Sequence, residues 1–139
     1  MKTKPMLTAL ALGSLFAAPL SAISPRATLT AELAGANETA GGDADGSGSF
    51  SATVDADEGD LCYALKADKI AAATMAHVHS GAAGANGPPV ITIAMTDDNC
   101  MAVEPDVLKA IIANPANYYI NIHNAEFPAG AIRGQLQMK

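Results

Sequence analysis

Apolar and polar residues alternate along most of this chain with a period of two, the spacing that sends successive strand side chains to opposite faces. Over residues 27–33, Leu29, Ala31 and Leu33 fall on one face and Thr28, Thr30 and Glu32 on the other. Residues 49–55 repeat the pattern with Phe50, Ala52 and Val54 inward, and a third run places Leu61, Tyr63 and Leu65 on one side. Further strands are expected over 72–79, 90–95, 118–123 and 131–138. Gly-, Ala-, Asn- and Asp-rich sequence makes 35–48 a loop, 57–60 a turn, 81–89 a flexible loop and 97–101 another turn. One segment breaks the period. Val107, Leu108, Ile111 and Ile112 recur at helical spacing, with Pro105 and Asp106 at the start and Asn114-Pro115 at the stop. The pattern predicts an all-β fold, an antiparallel β-sandwich or Greek-key barrel of about seven strands, with one short helix near 105–113. There is no βαβ alternation and no Gly-rich phosphate fingerprint, so no nucleotide site is expected.

The first 22 residues depart from this pattern. Lys2 and Lys4 precede an uncharged apolar run over 6–18, and Pro19-Leu20-Ser21-Ala22 supplies small residues at its exit. This reads as a secretory signal peptide, residues 1–22, cleaved after Ala22. The run is short of the roughly 20 apolar residues that span a bilayer. Loss of Lys2 and Lys4 leaves 6 basic against 14 acidic residues, a net charge of −8 on the exported chain. That charge repels phosphate backbones and argues against a nucleic-acid partner. The expected location is periplasmic or secreted.

Export changes how the two cysteines read. In an oxidising compartment Cys62 and Cys100 are expected to form a disulfide. Such a bond stabilises by roughly 3–4 kcal/mol through loop closure. A thiolate ligand or a redox thiol is the competing reading.

The most specific chemistry lies in Ala76-His77-Val78-His79-Ser80-Gly81, because the chain has three histidines and two of them are here. Parity puts Met75, His77 and His79 on one face of their strand, with Thr74, Ala76 and Val78 on the other. Over 118–123, Ile120 and Ile122 read as core, which sends Tyr119, Asn121 and His123 outward. If the two strands are neighbours, about 4.8 Å apart, all three histidines meet on the outside of the sheet under the 81–89 loop. Three neutral imidazoles suit copper or zinc, and the thioether of Met75, a candidate further ligand, favours Cu(I). Other constellations are weaker. Asp55, Asp57 and Asp60 lack the spacing of a calcium loop and fit a hairpin turn. No nucleophile-elbow motif surrounds Ser80 or any other serine. Arg133 is expected across the last hairpin from Glu126, as a salt bridge or as an anion guide. No catalytic residue is assigned.

His77-Val78-His79-Ser80-Gly81, Asn86-Gly87-Pro88-Pro89-Val90, Tyr119-Ile120-Asn121-Ile122-His123-Asn124 and Pro128-Ala129-Gly130-Ala131-Ile132-Arg133-Gly134-Gln135-Leu136 together resemble the CHRD domain, named after chordin. The resemblance spans residues 27–138 and looks like a single-domain exported bacterial member. Ala131 stands where that family often has Glu. Chordin is a secreted growth-factor antagonist, but a fold does not carry its function with it. A narrower resemblance links His77-Val78-His79 and His123 to copper ligands of copper–zinc superoxide dismutase. The bridging histidine and the zinc-holding set of that family are missing here.

The expectation from sequence is an exported CHRD protein that binds one copper ion, Cu(I) or Cu(II), through His77, His79 and His123, for sequestration or for delivery to a protein partner. Zinc is the alternative metal. The alternative functions are a dismutase-like copper redox enzyme and a metal-free extracellular interaction module.

Overall fold

The computed structural model describes residues 26–139 except Asp97, so the expected signal peptide lies outside the described residues. Nine strands form one antiparallel sheet among the described residues. They are β1 (Arg26–Ala34), β2 (Ser47–Asp55), β3 (Asp60–Asp68), β4 (Ala73–Ser80), β5 (Pro89–Ile93), β6 (Asp98–Ala102), β7 (Tyr118–Asn124), β8 (Ile132–Gln135) and β9 (Gln137–Met138), with helix α1 (Pro105–Ala113) between β6 and β7. The order across the sheet is β5-β4-β7-β8-β1-β2-β3-β6, and β9 pairs with β1 beside β8. The sheet curls into a half-barrel, the barrel side of the architecture expected from sequence.

The period-two pattern dictates which face is inside. Leu29, Ala31 and Leu33 of β1, Phe50, Ala52 and Val54 of β2, and Leu61, Tyr63 and Leu65 of β3 all belong to one buried apolar cluster. Ala76 and Val78 of β4 and Ile120 and Ile122 of β7 join them at 2% exposure or less. Leu108, Ile111 and Ile112 of α1 pack into the same cluster, so the helix caps the core that the curled sheet leaves open.

Two local expectations are corrected. Residues 97–101 were expected to turn the chain, but β6 runs antiparallel to β3 from Asp60↔Ala102 to Ala64↔Asp98. Asp-Asn sequence favours turns on its own; here pairing with β3 overrides it. The last expected strand is two, because Leu136 donates its N–H to the Tyr118 carbonyl (2.9 Å) between β8 and β9. The Asp55 turn is a hairpin turn: its carboxylate accepts the N–H groups of Asp57 and Glu58 (3.2 Å each) and the Arg26 guanidinium (2.7 Å). No helix among the described residues is long and apolar enough to cross a membrane.

What positions the site is the burial of β7. Tyr119 through Asn124 are buried in unbroken succession, so this strand is covered on both faces. One face is the apolar core. The other is polar.

Candidate metal centre

β4 and β7 are neighbours, with Met75 opposite His123, His77 opposite Asn121 and His79 opposite Tyr119. Residues directly opposite in an antiparallel pair share a face. The six side chains therefore form two columns on the outside of the sheet, as parity requires once Ala76, Val78, Ile120 and Ile122 take the core.

The three histidines converge. Ring centroids of His77 lie 5.4 Å from His79 and 5.2 Å from His123, and one nitrogen from each ring can be chosen so that all lie within 4.8 Å of one another. His77 Nδ1 is 3.3 Å from His123 Nε2. Nitrogens that share one metal ion at about 2.0–2.1 Å sit roughly 3.5 Å apart. That pair is already at ligand spacing, and His79 needs to close by little more than about an ångström.

Backbone carbonyls orient two of the rings. His79 Nδ1 is 2.8 Å from the Gly87 carbonyl oxygen and His123 Nδ1 is 3.0 Å from that of Pro128. A carbonyl only accepts, so each Nδ1 carries the proton and each Nε2 presents a lone pair. His79 Nε2 is buried and has no hydrogen-bond partner. Burial pulls the imidazoles of His77 and His123 below their ordinary titration range, and neighbouring histidines push in the same direction. The Pro128 carbonyl works against this at His123, without reversing it. Both rings are thereby biased toward the neutral form, the one that ligates metal.

Around this cluster lie residues whose roles sequence spacing does not reveal. The Tyr119 ring stacks on His79 at 4.8 Å with 3° between planes. The Arg133 guanidinium lies 3.3 Å from the centre of the same ring. β4 and β8 flank β7 on opposite sides, so His79 and Arg133 sandwich Tyr119. Glu38, from the 35–48 segment expected as a loop, has a buried Oε1 without a partner, as has Asn121 Oδ1. Burial raises the Glu38 carboxyl above its ordinary range, although Arg133 and Asn121 pull it down. Gly130, with φ 141°, leaves the space Glu38 occupies, since a Cβ there would run into its carboxylate.

Three further sequence expectations have separate outcomes. Arg133 does not meet Glu126. Register pairs it with Asn121, on the covered outer face, where it is 2% exposed and bonded to the 82–86 loop. It is therefore neither an exposed anion guide nor half of the expected ion pair. Met75 has the expected face but is 47% exposed at the margin of the cluster. Cys62 and Cys100 are directly opposite on β3 and β6 and form the disulfide, which removes the thiolate alternative and places it far from β4 and β7 in the sheet order.

No curated protein and no solved structure matches the chain. The model of the CHRD domain matches residues 29–136, a span that runs from the core of β1 to Leu136 and takes in all three histidines. A disulfide in such a domain fits an extracellular or secreted protein. This chain is a member of the CHRD domain family.

Proposed function

We propose that this protein binds one copper ion through His77, His79 and His123 and handles copper in the periplasm or outside the cell, by sequestration or by delivery to a partner. The observation that carries the reading is His79 Nε2, buried with no hydrogen-bond partner beside two further imidazoles. Leaving a buried acceptor unpaired costs about 1–3 kcal/mol, a cost that ligation removes. The ligand atoms would be His77 Nδ1, His79 Nε2 and His123 Nε2. His77 would carry its proton on Nε2, releasing the contact with His123.

An all-imidazole donor set accepts copper or zinc. The thioether of Met75, opposite His123 and exposed, supports copper and in particular Cu(I). Its position at the margin suits transfer to or from a partner. A dismutase-like role gains no support from Arg133, which is committed to the 82–86 loop.

Equilibrium dialysis tests the reading. The wild-type chain is expected to take up one copper per molecule and His77→Ala to lose stoichiometric uptake. Copper should also raise the melting temperature of the wild type, because a ligand bound only by the native state stabilises it. Undiminished uptake by His77→Ala sinks the assignment, and preference for zinc in a competition experiment redirects it to that metal.

A further inference from the structure

The segment over 81–88 roofs the histidine cluster, and it grips His79 through the bond to the Gly87 carbonyl. Its sequence, Gly-Ala-Ala-Gly-Ala-Asn-Gly-Pro, offers no large apolar side chain to anchor it, and Ala82 through Asn86 are exposed. A loop of this composition does not hold one carbonyl in place unaided. Its ends are tied by the Ser80 N–H on the Pro88 carbonyl (3.1 Å) and the Gly87 N–H on the Tyr119 hydroxyl (3.4 Å), and its middle is held from β8. Arg133 donates from Nη2 to the Ala85 carbonyl (2.6 Å) and the Ala82 carbonyl (3.3 Å), and from Nη1 to Asn86 Oδ1 (3.0 Å). Asn86 Oδ1 also accepts from Thr39 Oγ1 (2.8 Å), and Gln135 Nε2 donates to the Gly81 carbonyl (2.8 Å) at the start of the loop. The same guanidinium lies flat on Tyr119, whose other face carries His79.

One side chain thus touches both the roof over His79 and the ring on which His79 rests. We infer that Arg133 is a positioning residue for the histidine centre: it locks the 82–87 loop and Tyr119 together, and so fixes the ring plane and tautomer of His79. The inference rests on the copper reading for its consequence, but its geometry is a property of the metal-free protein. A planar guanidinium is required because the same group must stack and send divergent hydrogen bonds to three acceptors. An ammonium keeps the charge and loses both.

The test compares wild type with Arg133→Lys in the full chain. In the metal-free protein, NMR follows exchange of the His79 Nδ1 proton with water. In the Cu(II)-loaded protein, competition with a chelator gives affinity and EPR gives the copper hyperfine coupling. Arg133→Lys is expected to accelerate the exchange, lower copper affinity about 10–100-fold, as loss of groups that orient ligands does, and shift the hyperfine coupling. Unchanged exchange, affinity and coupling in a folded variant overturn the inference. If Arg133→Lys does not fold, Asn86→Ala decides by the same readouts against Thr39→Val, since Asn86→Ala removes both the Nη1 acceptor and the Thr39 bond and Thr39→Val removes the second alone; exchange faster in Asn86→Ala than in Thr39→Val upholds the positioning role and equal exchange overturns it. Should the wild type bind no copper, the copper reading fails alone. The exchange measurement on metal-free protein then still upholds or overturns Arg133.

Discussion

The outer faces of two parts of the same sheet are built by the same alternation and end in opposite environments. On β1, β2 and β3, outward residues such as Glu32, Ser51, Thr53 and Lys66 are exposed to water. On β7 and β8, outward Tyr119, Asn121, His123 and Arg133 are all buried. A polar residue in water needs no partner in the protein, whereas a buried one loses solvation and must find a partner or remain unsatisfied. The buried side-chain atoms without partners among the described residues, Glu38 Oε1, His79 Nε2 and Asn121 Oδ1, all lie on the second face or over it. The first face is a solvated surface. The second is a polar interior, and the unused lone pairs collect there.

If this contrast is right, stability and metal binding come apart by region. The largest effect on stability is expected from replacing both Cys62 and Cys100 by Ala, at about 2–4 kcal/mol, read as a lower midpoint in denaturant. Copper uptake by the folded protein should be unchanged, because the disulfide joins β3 to β6, away from the histidines. Loss of uptake in that variant would break the separation of the two faces. Arg133→Ala comes next, at about 2–3 kcal/mol, since it removes a buried side chain, three hydrogen bonds and the cover on one face of Tyr119. It should impair both stability and copper affinity, which the cysteine variant does not.

How much of this was legible in sequence follows from the same contrast. Alternation made the core and the strand faces readable, and convergence of His77 and His123 followed from parity once their strands were taken as neighbours. The β6 strand was not readable, since Asp-Asn reads as a turn until β3 is there to pair with it. The partners of Arg133 were hidden for another reason. Its contacts, Ala82, Ala85 and Asn86, lie about 50 positions away in sequence, and two are backbone carbonyls that any residue type would provide. Glu38 and Asn121 carry no motif either; only the covered outer face gives an ordinary loop glutamate a buried carboxylate oxygen.

Glu38 supplies a smaller effect, with a sign that tests the burial of this face. Its folded titration is raised above the unfolded value by desolvation. Such an acid contributes stability that is fully present below the unfolded value, about pH 4.3, and is lost as pH rises through the folded one. Glu38→Gln removes that loss. Melting temperatures measured from pH 4 to pH 8 should fall less steeply with rising pH in the variant, which should match or exceed wild type at neutral pH. A wild type that gains stability from Glu38 across this window would show that attraction by Arg133 outweighs burial.

The smallest effect belongs to the solvated face and is the control that gives the others meaning. Lys66 is exposed on β3 opposite Ser49. Its ammonium stays in water in the folded and unfolded chains alike, so truncation removes little that folding had gained. Lys66→Ala should change stability by no more than about 0.5 kcal/mol and leave copper affinity unaltered within error. A larger loss from this position, approaching that of Arg133→Ala, would mean that β1–β3 bear a covered face of their own in solution. The difference between the two outer faces would then lie in what covers each of them, and not in whether one is covered at all.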